Sequence, residues 1–203
     1  MSQLIEKKVT SRIYGKKRGW VFTPIHFLDL GNRSAISKAL ERLVKRGTTR
    51  RLARGLYDYP KKHPKLGNLP ANYEQIAKAL AGKDNLRIQP SGAYVANLLG
   101  LTEQVSAKIV FLTDGANRIV NVGNQKIILK KTTPKNMAAA GRISGLVVQA
   151  LRYIGKNRVD AQIIGKLQRR LSHEDKQQLI NDIRYAPAWI GKIFRELKDE
   201  EHS

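Results

Sequence analysis

The stretch that decides the reading is TPIHFLDLGNRSAISKALERLVKRGTTRRLARGLYDYP, residues 23–60. Thr23 before Pro24 reads as an N-cap with proline at the first helical position, where the missing N–H would be unused anyway. A short helix over 24–30 is expected to stop at Gly31. Asn32 then caps the next helix, on which Ala35, Ile36, Ala39, Leu40, Leu43 and Val44 fall in one apolar stripe, and Gly47 supplies the left-handed terminal residue. Beyond Gly47 the period changes from helical to extended. Residues 49–52, a turn at Ala53-Arg54-Gly55, and residues 56–59 make a hairpin ending at Pro60. Two helices joined by a glycine turn and followed at once by a basic hairpin are the order of a winged helix-turn-helix.

On the N-terminal side, Leu4, Ile5, Val9 and Ile13 sit at helical spacing over 3–14, leaving Lys7, Lys8 and Arg12 for the wet face. Gly15-Lys16-Lys17-Arg18-Gly19 is a basic turn and residues 20–22 a short strand. On the C-terminal side, residues 61–70 with Pro64, Gly67 and Pro70 read as a linker, so the expected domains are 1–62 and 71–203. Asn72 caps a helix ending at Gly82, Ile88-Gln89-Pro90 is extended, and Ser91 opens a helix that closes at Gly100. Three strands, 108–113, 118–122 and 125–131, are punctuated by Asp114-Gly115 and Gly123-Asn124 and predict an antiparallel meander. The last third is helical over 144–153, 159–171, a helix capped by Ser172 with Asp175 three residues on, and 187–198. The expected class is α+β: an N-terminal winged helix-turn-helix, then an α/β domain with a small meander and a helical end.

Charge narrows the function classes. The 203 residues carry 38 Lys and Arg against 16 Asp and Glu, a formal +22, which calls for a polyanionic partner. Residues 1–70 hold 17 of the basic and 4 of the acidic residues, so +13 of the charge lies in that third. Nucleic acid is the first candidate. A membrane surface is set aside, since no apolar run reaches the roughly 18 residues of a spanning helix and no signal-peptide core follows Met1; a cytoplasmic location is expected. The absence of cysteine removes disulfides, thiolate catalysis and cysteine zinc sites.

The residues outside the apolar stripe of the second helix are Arg33, Ser34, Ser37, Lys38, Glu41, Arg42, Lys45 and Arg46. A recognition helix needs this arrangement, one face buried and the other offering Arg, Lys and Ser to base edges and phosphates of double-stranded DNA. Arg50, Arg51 and Arg54 lie on the hairpin, with Arg54 at the tip where a wing meets a minor groove. Lys16, Lys17 and Arg18 form a third cluster suited to clamping the backbone. Paired half-sites would suit a homodimer on DNA. No H-E-x-x-H, G-x-S-x-G or Walker loop is present, and His26, His63, His173 and His202 lack metal-ligand spacing. Asp114, Asp160, Glu174, Asp175 and Asp182 sit at turns and helix starts, where capping explains them. A non-enzymatic protein without cofactor or metal is expected. The rival reading is an RNA- or ribosome-associated binding protein, for which only Tyr57 and Tyr59 would offer base-stacking surface.

Several segments carry a resemblance: RGWVFTP (18–24), ALERLVKRG (39–47), RLARGLYDYP (51–60), QPSGA (89–93), NLLGL (97–101), AKIVFLTDG (107–115) and YAPAWI (185–190). Together they resemble the abortive-infection AbiEi-type antitoxin family, nearest to a bacterial subfamily known by DUF-type labels, and they cover most of the chain. The resemblance implies an operator-binding winged helix, a C-terminal α/β domain, repression of the chain's own promoter and a paired nucleotidyltransferase-like toxin that is countered with or without a stable complex. It places DNA binding on Arg33, Ser34, Ser37, Lys38, Arg42, Arg51 and Arg54, and it brings no catalytic residues.

Overall fold

In the computed structural model, which describes residues 2–82 and 86–199, the chain is mixed α+β and divides into two compact units. One comprises Met1–Leu86 with Val120–Asn124, the other Arg87–Ile119 with Gln125–Ser203. His202 lies outside the described residues. No helix among the described residues is long and apolar enough to cross a membrane.

The first unit opens with α1 (Ser2–Gly15), β1 (Val21–Phe22) and a 3₁₀ turn at Pro24–Phe27. Next come α2 (Arg33–Lys45), capped by Asn32 whose side chain accepts the Ala35 N–H, and the strands β2 (Arg50–Ala53) and β3 (Leu56–Asp58). The strands form one antiparallel sheet in the order β1-β3-β2. Its core holds Val9, Ile13, Phe22, Phe27, Ile36, Leu40, Leu43 and Tyr57. Phe22 and Phe27 are fully buried and meet edge to face at 5.4 Å, each worth about 2–3 kcal/mol of burial.

The expected helix over 24–30 is shorter than its sequence pattern. An α-helix would pair the His26 carbonyl with the Leu30 N–H. Arg12 of α1 takes that carbonyl instead (2.7 Å) while gripping both carboxylate oxygens of Asp29 (2.7 and 2.6 Å). Leu30 N–H falls back on the Phe27 carbonyl at 2.8 Å, a three-residue step. The Asp29 carboxylate in turn raises the Arg12 pKa above its ordinary value.

The expected linker is structured too. Residues 61–70 contain a small antiparallel hairpin, β4 (Lys62–His63) with β5 (Gly67–Asn68). After it α3 (Tyr73–Ala81), capped by Asn72, packs against β1. The first unit therefore continues well beyond the boundary expected at 62–71.

From Arg87 on, β6 (Ile88–Ser91), β7 (Lys108–Thr113), β8 (Arg118–Val122) and β9 (Gln125–Lys131) give a four-stranded sheet in the order β6-β7-β9-β8, with α4 (Gly92–Leu98) after β6; all but Val120–Val122 of β8 belong to the second unit. The expected antiparallel meander is corrected here: β7 and β9 run parallel, from Lys108 beside Lys126 to Thr113 beside Lys131. Burial gives the reason. Ile109, Phe111, Ile127 and Leu129 alternate inward along β7 and β9, whereas β8 is largely exposed, so the two apolar strands take the centre and β8 an edge. Four helices follow: α5 (Ile143–Ile154), α6 (Ala161–Arg170), α7 (His173–Asn181) and α8 (Ala188–Asp199). With α4 they enclose a core that includes Val95, Val147, Leu151, Leu167, Leu179, Ile190 and Phe194. The capping box at Ser172 forms as the sequence predicts, each of Ser172 and Asp175 accepting the other's backbone N–H.

Arg87 holds the turn after β7, its backbone N–H and Nε donating to Asp114 at 3.0 and 2.9 Å. The Arg87 side-chain hydrogen bond draws the Asp114 carboxyl below its ordinary value of 3.8. A carboxyl lowered on folding stabilises the native state fully above that ordinary value, and the contribution disappears as pH falls through the lowered one. Asp114→Asn is therefore expected to be less stable than the parent at neutral pH, with the gap closing in acid. Thermal melts from neutrality to pH 3 test this; a gap constant with pH would show that the charge is immaterial.

Candidate nucleic-acid interface

The outer face of α2 is set by the burial of its inner one. With Ile36, Ala39, Leu40 and Leu43 in the core, Arg33, Ser34, Lys38, Glu41 and Lys45 are exposed and Ser37 is half-buried beside them. Arg33, Lys38 and Lys45 have no acidic partner among the described residues. Two hydroxyls and three cations along one exposed stripe can donate to phosphates and to guanine, while Glu41 in their midst accepts and would disfavour a phosphate beside it.

Arg42 stands apart from this stripe. It reaches back to Glu6 of α1, which also receives Arg46, and the Glu6 side chain is only 15% exposed. Among the expected binding residues, Arg42 thus works chiefly as a strut between α1 and α2. Arg50 does comparable work in the hairpin: its guanidinium donates to both Asp58 oxygens at 3.1 and 2.6 Å and to the Leu69 carbonyl at 2.9 Å. Asp58 is 2% exposed, so Arg50 neutralises a buried charge. The signal was present in the register, since Arg50 lies directly across from Asp58.

Arg51 and Arg54 remain on the exposed side of the hairpin without an acidic partner among the described residues, Arg51 touching only the Ala53 carbonyl at 3.4 Å. Lys16 and Lys17 are exposed at the end of α1. Lys17 has φ 65° and is the sole non-glycine residue with positive φ among those described. Glycine would hold that conformation at lower cost, by about 1 kcal/mol, so a lysine there runs against local preference. Arg18 lies 4.6 Å from the centre of the Tyr59 ring and donates to the Pro60 carbonyl at 3.1 Å.

Of the two tyrosines expected to offer stacking surface, neither is freely exposed, although Tyr14 is 52% exposed. Tyr57 is buried and stacks on Phe22, and Tyr59 sits between Arg18 and Tyr14. Among the described residues no three acidic or histidine side chains converge as a metal cluster.

Comparison with known proteins finds a family and a similar solved structure. The solved structure is that of the RV2827C protein from Mycobacterium tuberculosis, at 16% identity, covering 96% of this chain and 76% of that chain with a TM-score of 0.46, a likeness too loose to argue from. The curated proteins give no match. The family described as "Family of unknown function (DUF6088)" matches residues 8–179, most of the chain, and this protein belongs to it.

Proposed function

We propose that this protein is a DNA-binding transcriptional regulator whose first unit acts as a winged helix-turn-helix. In this reading it is the antitoxin of a type IV pair, acting in the cytoplasm, repressing its own promoter and countering a nucleotidyltransferase-like toxin. The observation that carries DNA binding is how the first unit spends its acids. Glu6, Asp29 and Asp58 are committed to Arg42, Arg46, Arg12 and Arg50, which hold the fold. Arg33, Lys38, Lys45, Arg51, Arg54, Lys16 and Lys17 are left exposed and without an ion pair among the described residues, with Glu41 exposed beside those on α2. A surface charged only for solubility interleaves the two signs. Here, Glu41 apart, the cations gather on one helix, the hairpin that follows it and the turn after α1.

The order of elements supports the same reading: a helix, a short strand, a helical turn, a capped helix and a two-stranded hairpin, with β3 between β1 and β2. In a winged helix the last helix enters the major groove and the hairpin flanks it. The antitoxin part rests on the sequence resemblance.

Fluorescence anisotropy on the chain's own upstream DNA and on a scrambled duplex, across a salt series, tests the DNA reading. A preference of at least about a thousandfold is expected. Equal affinities that collapse together with salt would reduce the interaction to charge alone and sink the regulator. For the antitoxin part, coexpression of this chain should relieve growth arrest by the paired toxin; unrelieved arrest would refute it.

A further inference from the structure

The segment that the sequence presents as a linker carries an unusual combination. From Lys61 to Leu69 every residue except Leu69 is exposed; Lys61, Lys62, His63 and Lys65 are basic and none is acidic. At the tip, Leu66 is 73% exposed, with Lys65 and Gly67 on either side. An aliphatic side chain so placed gains nothing from the fold.

The tip is nevertheless held. The His63 Nδ1 accepts the backbone N–H groups of both Lys65 and Leu66, at 3.2 and 3.3 Å, which closes the turn over Pro64. Gly67 takes the left-handed conformation (φ 68°) needed for the chain to return as β5. At the base, the Leu69 N–H donates to the Lys61 carbonyl at 2.8 Å, and Arg50 of β2 donates to the Leu69 carbonyl. The small hairpin is therefore tied to the larger one. An open cleft of about 250 Å³, lined by Tyr14, Arg18, Arg46, Thr48, Tyr59 and Lys62 among others, joins it to the end of α2.

We propose that the β4–β5 hairpin is a second, previously unassigned DNA contact, in which Lys62 and Lys65 bind phosphates and Leu66 wedges between base pairs from the minor groove and bends the duplex. The inference rests on the DNA reading above and extends it. Proteins that bend DNA in this way pair basic side chains with an apolar wedge of this type, and one such side chain suffices to unstack one base step. An anionic membrane would call for a wider apolar face than a single leucine provides.

The test uses the full chain and its upstream duplex labelled with a donor and an acceptor dye at the two ends. Wild-type protein is expected to raise energy transfer on binding. Leu66→Ala, a change at an exposed position, should bind within about threefold of wild type yet lose most of that rise. Lys65→Ala should lose affinity and keep the bend when saturated. Tight binding by wild type with no bend, or an equal bend from Leu66→Ala, would overturn the wedge and leave the DNA reading standing. So would Leu66-dependent partition onto phosphatidylglycerol vesicles with an unchanged bend. Failure of wild type to bind any duplex would remove both.

Discussion

Alanine at Arg33, Lys38, Lys45, Arg51 and Arg54 together is expected to weaken duplex binding by about three orders of magnitude near physiological salt. Each phosphate contact contributes about 0.9 to the slope of log affinity against log salt, so the slope should fall by up to about 4.5 units. The fold should hardly notice, because exposed cations without partners change stability by no more than about 0.5 kcal/mol each. Arg50→Ala is the contrast. It strips the buried Asp58 of two hydrogen bonds and the Leu69 carbonyl of one, and should cost about 2–4 kcal/mol of stability. Anisotropy and thermal melts on the two variants separate the roles. Should the fivefold variant bind as well as wild type, the outer face of α2 would not be the reading face.

Gly145→Ala is expected to have the largest effect on the second unit. A Cβ there would lie 2.2 Å from the Ala139 carbonyl oxygen and 2.7 Å from Gln89 Oε1. Neither can withdraw: the first is backbone, and Gln89 is fully buried with Oε1 accepting the Gly141 N–H at 3.2 Å. Overpacking of this kind costs about 3 kcal/mol, more than the roughly 1 kcal/mol that alanine returns in helix propensity. A loss of about 2 kcal/mol lowers the melting midpoint by roughly 4–8 °C in a chain of this size. Gly165→Ala in α6 serves as comparison. The nearest atom its Cβ would meet is Nη1 of Arg169 on the same helix, at 3.5 Å, so the propensity gain stands and the midpoint should rise slightly. Calorimetry decides; two glycines responding alike would mean that the close approach at Gly145 is relieved by movement.

Long amphipathic elements were legible from sequence because burial of one face leaves a period. The stripe on α2, the caps at Asn32, Asn72 and Ser172 and the C-terminal helices fall where that period and the capping side chains place them. What escaped has no period. A two-residue strand cannot alternate, so β4 and β5 read as linker, although Pro64 and Gly67 marked their turn. Strand partners are equally invisible in one dimension: Gly123-Asn124 announces that β8 returns as β9, but nothing local says that β9 then lies along β7. The site suffered likewise. Lys38 and Lys45 follow from helix geometry alone, whereas the engagement of Arg42 depends on Glu6, 36 residues earlier in the chain.

The outer strands of the four-stranded sheet bear on how the protein behaves when crowded. On β6, Pro90 has no N–H to offer a further strand, and β8 presents Arg118 and Asn121 to solvent. The β6 margin is a poor template for a further strand, whereas β8 also exposes Ile119 (61%) between its polar residues. The sheet is thus blunted by its own proline on the β6 side, which guards that margin against edge-to-edge polymerisation in a concentrated solution.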